Sequence, residues 1–188
     1  DEIGIRIQQD YGLTEATATV AIQPAGASRK PGSSGLRLPF TQVRVIRVDS
    51  PDDAPRDCET GRIGEILVRG PGVVSGYVGA AAAASPFLPG GEGWLKTGDL
   101  GRLDADGHLW VTGRKKDLII RGGHNIDPGL IEEALRTHPD VAQVAAVGKP
   151  DAYAGELPVA YVQARPGAVL DADALIRYAR EHIPERGA

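Results

Sequence analysis

The chain has 188 residues, 41% of them hydrophobic and 24% charged, enough for one ordinary domain or for one domain plus part of another, which excludes a small disulfide scaffold and wholesale disorder. A net charge of −4 offers no clustered basic surface for nucleic acid, and the lone Cys58 cannot form an internal disulfide or a zinc ligand set. The longest alanine run, Ala80 to Ala84, stops at Ser85 and Pro86, far short of the roughly 20 apolar residues that span a bilayer.

The 25 glycines and 14 prolines point to a turn-rich, sheet-rich protein rather than a helical bundle. No signal-peptide pattern opens the chain, so a reducing cytoplasm is the expected compartment. Methionine is absent and the first residue is Asp1, which reads as a piece of a longer protein.

In chain order, Ile3, Ile5 and Ile7 alternate with polar residues before Tyr11-Gly12, the period of a strand with one buried face. Val43 to Val48 and Glu65 to Arg69 carry the same signal, and Gly70-Pro71-Gly72 closes the second. The alanine-rich stretch from Val78 to Phe87 reads as a short helix ending near Pro86. His108 to Thr112 is a further strand, entered through an Asp106-Gly107 turn. Short strands between Gly/Pro loops suggest a small, twisted, barrel-like sheet.

After Arg114 the pattern changes. Asp127-Pro128 supplies an N-cap acceptor and a preset φ, predicting a helix to about His138 with Leu130, Ile131, Ala134 and Leu135 facing a core. Strands follow at Val141 to Gly148 and Leu157 to Ala164, then a helix from an Asp171 cap through Leu175, Ile176 and Ala179. This is an α+β alternation. The boundary between the two parts falls at about Gly113 to Asp117, where the charged cluster Arg114-Lys115-Lys116-Asp117 interrupts two apolar strands.

Several catalytic signatures are missing: GxSxG, HExxH, the phosphate loop ending in Gly-Lys-Ser/Thr, and the EF-hand pattern. Gly70-Pro71-Gly72 begins like a dinucleotide fingerprint, but Ser75 stands where the third glycine belongs. His108, His124, His138 and His182 have no partner at metal-ligand spacing. What remains is polar residues in Gly-rich turns. Tyr11-Gly12-Leu13-Thr14-Glu15 presents a ring, backbone N–H groups, a hydroxyl and a carboxylate together, suited to a nucleotide and a hard divalent cation. Taken singly it is equally a glycine turn with a local Thr14 cap. Thr97-Gly98-Asp99 offers a carboxylate for the two hydroxyls of a ribose, or a simple Asx-type turn.

Their order along the chain is more specific than any one of them. Tyr11 to Glu15, Gly64 to Gly70, Gly93-Trp94-Leu95-Lys96-Thr97-Gly98-Asp99, Gly113 to Asp117, Gly122-Gly123-His124-Asn125-Ile126 and Ile131-Glu132 together resemble the adenylate-forming superfamily, and within it an acyl-CoA synthetase. The resemblance runs from Gly4 to about Arg186. It implies the tail of a large α/β adenylate-forming domain with a β-rich, barrel-like subdomain (1–113), a hinge (114–117), and most of a small α+β C-terminal domain (118–188).

The resemblance also implies a reaction: a carboxylic acid, expected to be a fatty acid, is activated by ATP and Mg²⁺ to an acyl-adenylate and passed to CoA. It places Tyr11 and Gly12 beside adenine, Thr14 on phosphate, Glu15 on Mg²⁺, Asp99 and Arg114 on the ribose, and Val111 along the adenosine pocket. Lys116 falls at the hinge, and Gly122 and Gly123 where the pantetheine arm of CoA passes. His124 stands where many relatives carry Glu and has no assigned role. The phosphate loop and acyl pocket of such enzymes would precede Asp1 and a supporting lysine would follow Ala188, so the chain alone is expected to be inactive. Two alternatives stay open: a fatty acyl-AMP ligase or peptide-synthetase adenylation unit that delivers to a carrier protein, and a non-catalytic remnant of the fold. Gly123-His124-Asn125-Ile126-Asp127-Pro128, in place of the acyl-AMP ligases' Arg-Asn-His-Tyr/Ser-Pro, favours CoA.

Overall fold

The computed structural model describes residues 7–25, 30–79, 85–90 and 93–183, in two compact units, Asp1–Lys115 and Lys116–Ala188. In the first, Asp10–Leu13 (β1), Ala18–Ile22 (β2) and Leu36–Arg37 (β3) form one antiparallel sheet in that order. Gln42–Ile46 (β4), Gly64–Arg69 (β5), Leu95–Leu103 (β6) and Leu109–Arg114 (β7) form a second, antiparallel and also in chain order.

β5 explains how the two sheets cohere. Ile66 and Val68 pack with Tyr11, Ala16, Val20, Ala21 and Leu109, while Leu67 between them packs on the opposite face with Ile46, Leu88 and Trp94. A strand covered on both sides needs a continuous apolar run, and Ile66-Leu67-Val68 is one. The strand expected at Ile3 to Ile7 lies, except for Ile7, outside the described residues. So does the centre of the expected 78–87 helix; at its end Phe87 is extended and bridges Leu95.

The Asp106-Gly107 turn into β7 is tied by Asp104. Its Oδ1 accepts from the backbone N–H groups of Asp106 and His108, and its Oδ2 from Lys30 Nζ at 2.7 Å and Trp110 Nε1 at 3.1 Å. Lys30 Nζ also reaches Asp106 at 2.6 Å. Asp104, Asp106 and His108 thus gather within 4.8 Å of one another, but the cation among them is the Lys30 ammonium. Burial opposes ionisation of Asp104, yet Lys30 and the backbone N–H of His108 hold its carboxyl well below the usual carboxylate range.

In the second unit, Ile119–Arg121 (β8), His124–Ile126 (β9), Val141–Asp151 (β10) and Gly155–Ala164 (β11) make a sheet of order β10-β11-β8-β9. Helix α1, Pro128–Arg136, starts as its sequence demands: the Asp127 side chain accepts from Gly129 N at 2.9 Å, with Pro128 at the first position. Helix α2, Ala172–His182, is capped by Asp171 on Ala174 N. Leu135, Leu175 and Ala179 close over Val141, Val144, Ala160 and Val162. β10 runs past the expected end at Gly148, through Pro150 to Asp151, and β11 starts before the expected Leu157, at Gly155. Pro150 lies on the outer strand, and β11 pairs with β8 at Gly155 opposite Arg121, away from Pro158, so Pro158 takes no donor from that ladder.

Candidate functional site

Asp99 stands in the middle of β6 rather than in a free turn. Glu65 faces Leu100 and Leu67 faces Lys96, so Thr97-Gly98-Asp99 is extra chain that bulges from the ladder, with Gly98 at φ +72°. The Thr97 hydroxyl donates to Ile66 O at 2.8 Å and accepts from Asp99 N at 3.1 Å, pinning the bulge. Bulges of this kind re-aim a side chain. Here Asp99 Oδ2 accepts from the Tyr11 hydroxyl at 2.8 Å, and its Oδ1 lies 3.3 Å from Arg114 Nε, the residue opposite it on β7.

The three side chains differ in exposure, and that decides what each can do. Tyr11 is 8% exposed and packs with Ala16, Ile66 and Leu109, with Val111 against the same cluster. Burial first, and then the Asp99 carboxylate, push the Tyr11 hydroxyl above its ordinary value, so it stays a donor. Arg114 is 60% exposed at its side chain and Asp99 15%. A fixed carboxylate beside an exposed guanidinium fork accepts and donates hydrogen bonds side by side, a pattern that matches vicinal hydroxyls.

Thr14 and Glu15 lie on a 3-10 turn, Thr14–Ala16, directly after β1. Thr17 then takes φ +55° and Ala18 φ +73°, a strained reversal into β2. The turn is stapled to the loop after β5: Val74 N donates to Glu15 O at 2.8 Å, Thr17 Oγ1 to Gly72 O at 2.6 Å, and the Tyr77 hydroxyl to Glu15 Oε1 at 2.7 Å. Gly12 is obligatory, because a Cβ there would overlap the Ala18 carbonyl. The Tyr77 hydroxyl holds the Glu15 carboxyl below its ordinary value. An ionised carboxylate with hard oxygens fits Mg²⁺, which takes one or two protein carboxylates and completes its shell with phosphate oxygens and water.

Tyr11, Val111, Asp99 and Arg114 are therefore brought together, and Gly12, Thr14 and Glu15 follow Tyr11 on one short segment. Tyr77 and Thr97 were missed by the sequence reasoning. Thr97 stood in the quoted Thr97-Gly98-Asp99 run, and Tyr77 five residues after Gly72, without a local reason to pair with Glu15. In the second unit, Lys116 is exposed on the 3-10 turn Lys115–Asp117. Gly122 (φ +55°) and Gly123 (φ +82°) form the two-residue turn joining β8 to β9. Positive φ at both positions is what glycine supplies there. His124, paired opposite Arg121, is exposed on β9.

Residues 1–78 match the AMP-binding enzyme family, and residues 130–186 match the AMP-binding enzyme C-terminal domain. The chain is 49% identical over 185 residues to a marinolic acid–CoA ligase of Pseudoalteromonas sp. (strain SANK 73390), covering 98% of this chain and 28% of that protein. It is 42% identical over 188 residues to an indoleacetate–CoA ligase of Aromatoleum aromaticum, covering 97% and 36%. Among solved structures, ATP-bound MatB from Rhodopseudomonas palustris superposes with a TM-score of 0.83 at 31% identity, over 97% of this chain and 35% of that one. Bacillus subtilis o-succinylbenzoate CoA synthetase with ATP and magnesium gives 0.74 at 36%, over 98% and 36%. The chain thus spans about a third of the length of these relatives. Likeness in sequence and fold along nearly all of its residues leads to one conclusion: the chain belongs to the AMP-binding enzyme family, the adenylate-forming enzymes, and comprises the tail of the large domain followed by part of the small C-terminal domain.

Proposed function

We propose that the chain is part of an ATP-dependent acyl-CoA ligase, in which 1–113 ends the large domain, 114–117 is the hinge and 118–188 belongs to the small domain. The observation that carries this reading is the Tyr11–Asp99–Arg114 corner beside the Glu15 turn. The division of the compact units between Lys115 and Lys116 supports the placement of the hinge.

The reaction is two displacements. A carboxylate oxygen of the acid attacks the α-phosphorus of ATP and pyrophosphate leaves; the CoA thiol, losing its proton, then attacks the acyl carbon and AMP leaves. Asp99 accepts the ribose hydroxyls, Arg114 donates to the same sugar, and Tyr11 aims Asp99. Tyr11 and Gly12 border adenine, with Val111 lining the pocket, and Thr14 donates to phosphate. Glu15 would hold Mg²⁺, which would neutralise charge on the phosphates. Lys116, solvated and unburied, suits a pivot between the two half-reactions, and the side-chain-free Gly122-Gly123 turn suits passage of pantetheine.

The acid is a hydrophobic carboxylic acid, a fatty acid by first choice, and the acceptor is CoA, for which the Gly123-His124-Asn125 run speaks. A cytoplasmic location goes with this reading; among the described residues no helix is long and apolar enough to cross a membrane. The test is ATP/pyrophosphate exchange by the full-length protein against a panel of acids, repeated with and without CoA. Acid-dependent exchange followed by CoA-dependent thioester is the expected result. Exchange with no thioester on CoA, but acylation of a carrier protein, would move the assignment to an acyl-AMP ligase.

A further inference from the structure

Among the described residues Glu65 is the buried acidic side chain, 2% exposed, on a strand whose neighbours Ile66, Leu67 and Val68 are all apolar. A position that needed only filling would be served by another such residue, because a buried carboxylate is tolerated only when paired. Its partner is Lys115, whose Nζ donates to Glu65 Oε2 at 2.6 Å. Lys115 is the last residue of the first unit.

Register shows how the pair is reached. Across the sheet, Glu65 faces Leu100, and Leu100 faces Gly113 on β7. The ladder between β6 and β7 shifts at Leu100/Gly101, a bulge that resets which face each following residue takes. Arg114 then turns to Asp99 and Tyr11, on the side of the cluster containing Ile66 and Val68, while Lys115 turns to Glu65, on the side of Leu67 and Trp94. Arg114, the last residue of β7, and Lys115, the first of the 3-10 turn that follows, are thus held from opposite faces of one sheet.

We propose that Glu65 and Lys115 are positioning residues that clamp the chain just past β7, so that within 114–117 movement about the pivot is confined to Lys116 and beyond, Arg114 being held separately by Asp99. This rests on the ligase reading and on Lys116 as its hinge. Without the clamp, rotation would spread back to Lys115, and the step that requires the small domain to reorient would slow, while Arg114 stays on Asp99 and the nucleotide corner is intact.

The test uses the full-length protein with Glu65→Gln, Glu65→Gln/Lys115→Met, in which neither partner is left as an unpaired charge, and Lys115→Arg. Amide hydrogen exchange of peptides covering 111–118 is expected to quicken by about tenfold in the first two variants, with β5 unchanged. The KM for ATP in pyrophosphate exchange should stay within about twofold, while transfer from preformed acyl-adenylate to CoA falls about tenfold. Lys115→Arg, keeping the charge, should restore both. Unchanged hydrogen exchange at 113–117, or equal losses in both half-reactions that track the melting temperature, would overturn the clamp. A wild-type protein that exchanges no pyrophosphate would instead sink the ligase reading, and hydrogen exchange alone would then judge the clamp.

Discussion

The Tyr11 hydroxyl donates to Asp99 Oδ2 at 2.8 Å across 88 residues of sequence, from a ring that is otherwise buried. One Asp99 oxygen is thereby committed to aiming the carboxylate. Tyr11→Phe in the full-length protein should cost about 1 kcal/mol of stability, the usual worth of one such bond, and raise the KM for ATP in pyrophosphate exchange several-fold. Asp99→Ala should lower kcat/KM for ATP by about a hundredfold, since it deletes the proposed ribose acceptor and leaves Arg114 without its anchor. A hundredfold loss in Tyr11→Phe and none in Asp99→Ala would reverse these roles.

Glu15 and Tyr77 make a second, separable prediction. Glu15→Gln should raise the magnesium concentration needed for half-maximal exchange, because a neutral amide is a poorer ligand for a hard cation. Tyr77→Phe removes the hydrogen bond that holds the Glu15 carboxyl low. Its pKa then rises toward the ordinary glutamate value, so the acid limb of exchange should move to higher pH. A pH profile of the two proteins at saturating ATP measures it.

Much of this arrangement was legible locally. The Asp127-Pro128 and Asp171 caps announce both helices because a cap is chemistry within three residues of itself, and β4, β5 and β7 follow from apolar patterning. Asp99 was harder: Thr97-Gly98-Asp99 has the composition of a turn, and only pairing on both sides makes it a bulge within β6. β8 and β9, three residues each, fall below any periodicity window. The Tyr77–Glu15 and Lys115–Glu65 contacts join residues 62 and 50 apart, and no spacing rule reaches that far. The order of the motifs indicated which polar corners belong together, whereas their bonding partners required the fold.

The Lys30–Asp104 pair should make stability pH-dependent in one direction. A carboxyl held low in the folded state binds fewer protons there than in the unfolded chain. Its contribution is therefore complete above about pH 4, the ordinary aspartate value, and drains away as pH falls below it. Asp104→Asn keeps an oxygen for the turn but loses the charge. The gap in urea midpoint between the two proteins should be wide at pH 7 and narrower at pH 3.

Gly12→Ala tests the crowding beneath the candidate nucleotide turn. With the Ala18 carbonyl in the way, β1 and β2 must part or the Thr14–Ala16 turn must shift, at a cost of about 3 kcal/mol. Gly61→Ala is the control: its positive φ disfavours a side chain, but no atom lies within 4 Å of the added carbon. The expected order of melting temperatures is wild type, then Gly61→Ala, then Gly12→Ala.

Pro150, near the tip of the long β10–β11 hairpin, occupies the outermost strand of its sheet. Such a margin is where a foreign strand could add itself, and a residue with no N–H leaves a gap in the template that it would need. The proline thus serves as a guard against association edge to edge. Replacing it with valine would complete the template, and light scattering on warming would show the variant aggregating at lower concentration than the parent.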